Sequence, residues 1–235
     1  MVGIKTNFLL ICLLVNNMAQ QWYRMRTTYP DFLAICTEQK VASFLSCAAL
    51  GRETNDATFF FEADKNHCRW NCTFIFRTGV SDGNIEWRKY EIESTKNSAP
   101  KKTITSSSVY GNAYHDWSPK YATDSIFQSG GIKIFHSANE TSPWIMVDLK
   151  DVTTVIYLRI YVRMDGLGER FHDVAVEVAN SSSYIQRGFY KGPAMTQEVV
   201  EILCDDPTNA RYVRLRIIHG SRNVLNIAEL EIYTK

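Results

Sequence analysis

The sequence predicts a mainly β protein, a C-terminal β-sandwich preceded by a small α+β unit stapled by disulfides. Three observations carry this prediction. Runs in which apolar and polar residues alternate recur through the second half of the 235 residues, matching the period of two of a pleated strand. Cys36, Cys47, Cys68 and Cys72 crowd into the first half around one segment of helical spacing. Between the halves lies a polar stretch with no hydrophobic period. Hydrophobic residues make up 45% of the chain, enough for each half to bury a core, and the formal net charge of +1 gives no electrostatic case for nucleic acid or an acidic membrane surface.

Residues 1–19 read as a secretory signal peptide. Lys5 is followed by the apolar run Phe8 to Val15, then by polar Asn16-Asn17 and small Ala19. The run is too short to span a bilayer, and no later stretch is long and apolar enough to do so. A secreted, extracellular protein is therefore expected, without a transmembrane segment. Export turns the cysteines into disulfide candidates. Cys12 leaves with the signal, the four clustered cysteines allow three pairings, and Cys204 stands alone, expected to be buried and inert rather than to bridge two chains. Sequons at Asn71, Asn139 and Asn180 add weak support for export and for a glycoprotein.

In the first unit, residues 20–95, Val41, Phe44, Leu45, Ala48 and Ala49 recur at helical spacing and Gly51 is a natural stop. Thr58 to Phe61, Thr73 to Arg77 and Ile85 to Ile92 read as strands, with Asp82-Gly83-Asn84 a turn. The stretch Val41 to Cys68 resembles a PAN/apple domain, in which a helix carries two cysteines a turn apart and an aromatic strand and a later cysteine follow. Gly51 and Ala57 stand where the second helical cysteine and its partner would be. The resemblance implies Cys47–Cys68, with Cys36–Cys72 bridging the strands, and a binding module with a protein partner. Residues 96–108, with Pro100, Lys101-Lys102 and a serine run, read as a linker, and its lysines as linker charge.

Residues 109–235 read as all-β. Ile156, Leu158, Ile160, Val162 and Met164 form one apolar face, with Arg159 and Arg163 on the other. Val174, Val176 and Val178 alternate likewise, as do Val213, Leu215 and Ile217 against Arg214 and Arg216. The chain closes with Ile227 to Tyr233. Several short strands with no confident helix indicate a sandwich.

The block from Ser142 to Phe171 and the terminal LNIAELEIY resemble the discoidin/coagulation-factor type C jelly roll, a galactose-binding-like fold, and within it the F-type lectins (fucolectins). Their signature is present from about residue 103 onward. His136 is followed after 26 residues by Arg163-Met164-Asp165, and after four more by Arg170. The resemblance implies a secreted lectin for fucose-containing glycans, acting in innate recognition or adhesion, with His136, Arg163 and Arg170 on the sugar and Asp165 behind them. The chemistry agrees. A sugar with adjacent hydroxyls needs rigid donors fanned about one point, and two guanidinium forks provide them. Gly166-Leu167 replaces a pair of adjacent cysteines found in many F-type lectins, leaving Leu167 as an apolar contact for the fucose methyl. The resemblance also implies a structural calcium ion, held by Asp124, the Ala228 carbonyl and Glu229, although Tyr121 and Ile126 stand where further oxygen ligands are expected.

Each residue also has a plainer reading. An Arg-x-Asp pair at a strand end is commonly a surface ion pair worth under about 1 kcal/mol. Trp117 and Tyr121 read as core packing near Trp144 rather than as a sugar wall. A discoidin-like adhesion or scaffold protein, binding protein or lipid head groups through loop tips, is the alternative function. A glycosidase needs two spaced carboxylates, and the nearest pair, Asp165 and Glu169, lies inside the lectin motif. The chain has no Gly-x-Ser-x-Gly or His-Glu-x-x-His motif, so an enzyme is not expected. Since the sugar motif occurs once, avidity implies self-association or a second partner.

Overall fold

The computed structural model describes residues 23–26, 32–76, 87–92 and 96–235. The signal segment and the turn expected at Asp82-Gly83-Asn84 lie outside the described residues.

The first part holds β1 (Tyr23–Arg26), β2 (Phe32–Lys40), α1 (Phe44–Glu53), β3 (Thr58–Glu62), β4 (His67–Phe76) and β5 (Arg88–Ile92). The strands form one antiparallel sheet in which β4 pairs with both β2 and β3, and β5 with β3 and β1. Helix α1 begins where the Ser43 hydroxyl accepts a hydrogen bond from the Ser46 amide at 3.3 Å, supplying a first-turn N–H with its partner. The expected stop at Gly51 is corrected: the helix runs on to Glu53. Gly51 is there for packing, since a Cβ at this position would lie 3.3 Å from the Phe59 ring. Cys36 is bonded to Cys72 and Cys47 to Cys68, and the latter pair sits in a core with Phe59, Phe61 and Trp70.

The second part holds β6 (Lys96–Asn97), β7 (Thr103–Ser106), α2 (Tyr114–Trp117), β8 (Phe135–His136), β9 (Trp144–Tyr161), β10 (Val174–Ala179), β11 (Ile185–Tyr190), β12 (Glu198–Ile217), β13 (Asn226–Ile227) and β14 (Glu229–Thr234). It is a jelly-roll-like discoidin fold built on the long β9–β12 ribbon. One end of the ribbon pairs with β7 and β10, the other with β14. Its register breaks between Leu203 and Thr208 and again between Ala210 and Tyr212, where the ribbon bends. Both ends then contribute to one core, with Ile145 and Val147 from one and Leu158 and Ile160 from the other.

The stretch 96–108, read as a linker, is a correction, because it is built into this sandwich. Strand β6 pairs with β14 and β7 with β9. Ala99 is fully buried, and the Ser98 and Thr234 hydroxyls meet at 2.8 Å. The polar side chains belong to short edge strands, which need no hydrophobic run.

The two parts share one sheet. Ile75 and Phe74 of β4 pair with Glu198 and Val199 of β12. The Phe76 amide donates to the Gln197 carbonyl at 2.9 Å, and the Gln197 amide to the Arg163 carbonyl at 3.0 Å. Arg159, expected to face outward, is buried, and its guanidinium donates to Glu201 at 2.6 Å and to Glu91 at 3.0 Å. The sheet of the first part covers the face on which it lies. Cys204 is free and buried, where burial pushes its thiol up to about 12. Among the described residues no helix is long and apolar enough to cross a membrane.

Candidate functional site

Four segments converge on a cavity of about 360 Å³ lined by Tyr110, Trp117, His136, Asn139, Arg163, Arg170 and Val224. Each element delivers its side chain for a local reason. His136 ends β8, whose preceding residue, Phe135, is anchored in the core. Arg163 lies two residues beyond β9, where the ladder has ended and the side chain is no longer confined to a sheet face. The chain then turns through Gly166 at φ 143° and Leu167 at φ 59° into a single 3₁₀ turn that carries Arg170. Gly168 permits that turn, since a Cβ there would come within 2.3 Å of the Met195 and Thr196 backbone.

The two arginines are held differently. Arg163 is clamped by Asp165 in a fork, Nε to Oδ1 at 2.6 Å and Nη2 to Oδ2 at 3.0 Å. The clamp fixes the guanidinium plane, leaves Nη1 for a ligand, and holds the Asp165 carboxyl below its usual range. Gly131 lies against this pair, because a Cβ there would approach Asp165 Oδ2 to 2.2 Å and Arg163 Nη2 to 2.6 Å. Arg170 places Nη1 3.4 Å from His136 Nε2. His136 Nδ1 lies 2.7 Å from the Ser137 carbonyl, an oxygen that can only accept, so Nδ1 carries the proton. Burial first, and the Arg170 and Arg163 charges next, lower the His136 pKa although the Ser137 bond opposes them. The imidazole is therefore neutral at neutral pH, and Nε2 presents a lone pair.

Nε2 faces Arg170 Nη1, accepts from it and so orients the Arg170 guanidinium. The cavity thus offers two oriented forks of donors, which suit ligand oxygens. Aromatic faces complete it. The Tyr110 and Trp117 rings lie 4.7 and 5.1 Å from the His136 ring, and they meet each other edge-on at 6.3 Å.

Several expectations are corrected here. Trp117 lines the cavity, whereas the Tyr121 hydroxyl donates to the His115 carbonyl at 2.6 Å, outside it. Leu167 does not line it either. The left-handed turn leaves its side chain 40% exposed, and the aliphatic side chain in the lining is that of Val224. Tyr110 and Val224 were not legible as site residues because only the fold brings them beside the motif, and Asn139 and Gly131, though near His136 in sequence, carry no charge that marks them.

The implied calcium site can be tested on the residues themselves. Glu229 is buried, with Oε2 accepting from the Ser125 amide at 3.2 Å and Oε1 buried without a partner. Burial, and then the Asp124 charge, push its pKa up to about 8. A buried carboxylate with an orphaned oxygen and a second carboxylate close enough to act on it fit a cation, and Asp124 and Glu229, with the Ala228 carbonyl, would hold it. Tyr121 is engaged elsewhere and adds no ligand. Among the described residues no larger cluster of histidine, cysteine or acidic side chains forms a metal site.

The F5/8 type C domain model matches residues 103–230. The lectin domain of lectinolysin, complexed with Lewis B antigen, is 25% identical with a TM-score of 0.53, the match covering 61% of this chain and 99% of that one. A Streptococcus pneumoniae fucose-binding module is 25% identical with a TM-score of 0.51, covering 59% and 95%. A fucolectin from striped bass (Morone saxatilis) serum, 24% identical, shares the fold with a TM-score of 0.54 over 59% of this chain and 48% of its own. No curated protein matches the chain by sequence.

Proposed function

We propose that this chain, which belongs to the F5/8 type C domain family, is a secreted lectin that binds fucose-containing glycans through its C-terminal part. One observation carries the reading. His136, Arg163 and Arg170, spaced along the sequence as in a fucolectin, line one cavity in which His136 holds Arg170 and two guanidinium forks stand beside an aromatic wall. Arg163 Nη1 and Arg170 reach for ring and hydroxyl oxygens, and Val224, Tyr110 and Trp117 receive the apolar edge and methyl. That a fucose-binding module and a domain complexed with Lewis B antigen are among its structural neighbours supports the sugar class.

Calcium at Asp124 and Glu229 would be structural, neutralising a buried carboxylate and a half-buried one. The N-terminal part, stapled by Cys36–Cys72 and Cys47–Cys68, is read as a PAN/apple-like module for a protein partner. A single shallow sugar site binds weakly, on the order of 0.1–1 mM. Retention on cells then comes from self-association or from the second partner.

The test is retention on fucose-agarose. Arg163→Ala and Arg170→Ala are expected to elute in the void with the wild-type circular dichroism spectrum. Arg170→Lys, which keeps the charge and loses the fork, is expected to be retarded in part. Two alanine variants retained like the wild type would place the sugar elsewhere.

A further inference from the structure

We propose that Asn139, a wall of the sugar cavity, is the acceptor of an N-linked glycan that gates the cavity. The inference rests on the lectin reading above. Asn139-Glu140-Thr141 is one of three sequons, and the structure separates it from the others. In Asn71-Cys72-Thr73 the middle residue is tied to Cys36. Asn180 of Asn180-Ser181-Ser182 is exposed but does not line the cavity. Asn139 is exposed, and no partner holds its side chain among the described residues.

The local backbone keeps it at the rim. The Glu140 amide donates to the Asn223 carbonyl at 3.0 Å and the Asn223 amide to the Glu140 carbonyl at 2.8 Å. The Glu140 carboxylate accepts from the Ser107 and Ser108 hydroxyls at 2.5 and 2.6 Å. With its neighbour held on both sides, the Asn139 side chain is left pointing along the edge of the cavity, whose lining includes it.

The donor is a lipid-linked oligosaccharyl pyrophosphate, met by the chain during export. The bond from the anomeric carbon to the pyrophosphate oxygen breaks, the bond to Asn139 Nδ2 forms, and one amide proton leaves with the pyrophosphate. Transfer precedes folding, so the folded state only has to leave the glycan outside, as it does here. The first sugar then sits at the mouth of the cavity. A glycan that leaves the cavity open about a tenth of the time weakens apparent binding about tenfold.

The experiment compares protein made in bacteria, with its disulfides formed, and protein secreted by a glycosylating eukaryotic host. The partner variant is Thr141→Ala, which removes the sequon and leaves Asn139 in the wall. Peptide mass spectrometry after amidase release in heavy-oxygen water is expected to mark Asn139. Calorimetry with free fucose is expected to show the secreted wild type about tenfold or more weaker than the secreted Thr141→Ala protein, with the two bacterial proteins equal. An unmodified Asn139 in the secreted protein overturns the proposal, as do equal affinities of the secreted pair. Failure of the bacterial wild type to bind fucose overturns the lectin reading instead, so the two failures are distinct.

Discussion

At the scale of single residues, the set His136, Arg163, Asp165 and Arg170 was legible because titratable side chains recur at a fixed spacing, whereas their geometry was not. His136 illustrates this. The sequence gives a histidine, but only the bond from Nδ1 to the Ser137 carbonyl at 2.7 Å and the burial that lowers its pKa make Nε2 an acceptor. A pH dependence follows. As pH falls below the ordinary histidine value of about 6.5, and through the lowered one, Nε2 gains a proton and becomes a donor beside two guanidinium groups. Fucose affinity measured by calorimetry is therefore expected to be flat from pH 8 to about 6.5 and to fall at least about fivefold at lower pH. An affinity that stays unchanged while the His136 ring, followed by NMR, takes up its proton would remove His136 from the site. The residues that sequence reading missed were hidden in two ways. Tyr110 and Val224 lie far from the motif in sequence and matter only because the sandwich brings their loops to one rim, whereas Asn139, three residues after His136, was legible only as a sequon.

At the scale of elements, strands whose two faces differ in polarity were legible, such as β10 and the latter part of β12. Strand β2 and the start of β4 were not, since FLAICTEQK and HCRWNC carry no clean alternation. Edge strands β6 and β7 were read as linker because polar residues suffice there. The loop from α2 to β8 lay between these cases. Asp124 was legible as a ligand candidate, while its packing against Glu229 of β14 depended on the fold. Burial raises the Glu229 pKa to about 8, so without a metal the folded state favours the protonated acid. The sign follows from linkage: this contribution is complete below the ordinary carboxylate value and is lost as pH rises through about 8. In chelator, thermal unfolding is expected to show a melting temperature that declines from about pH 5 to about pH 8. Added calcium is expected to raise the midpoint at the upper end of that range by several degrees and to flatten the slope. The Glu229→Gln protein should show neither the slope nor the calcium shift. A slope that survives in that variant would assign the titration to another group.

At the scale of the whole molecule, the division into two halves was legible in the cysteines and the composition, but the way they join was not. The joint uses charged residues that sequence reading assigns to solvent. Arg159 of β9 is buried among Glu91 of β5, Glu201 of β12 and Glu231 of β14. Lys89, also buried, donates to Glu91 as well. The Thr58 hydroxyl of β3 donates to Glu201 at 3.2 Å. Burial alone would raise the Glu91 pKa, yet the Lys89 and Arg159 charges hold it at about 2. Glu91 therefore stabilises the fold above the ordinary carboxylate value, and that contribution is lost as pH falls toward about 2. Glu91→Ala takes away the carboxylate that Lys89 and Arg159 share, while Glu201 and Glu231 still face Arg159. It is accordingly expected to lose about 1–3 kcal/mol in urea unfolding, with Glu91→Gln intermediate because its amide oxygen still accepts. The shape of the transition is the more telling readout. Because β4 and β12 form one sheet and Gln197 links Phe76 to Arg163 through consecutive backbone bonds, both parts should unfold together in the wild type. Fluorescence of Trp70 and Trp87, in the first part, and of Trp117 and Trp144, in the second, resolved by single replacements with phenylalanine, is expected to give one midpoint. In Glu91→Ala the first pair is expected to report a lower midpoint than the second, as the sheet parts at its charged seam. Two separate midpoints already in the wild type would mean that the halves are joined by contact alone and unfold independently.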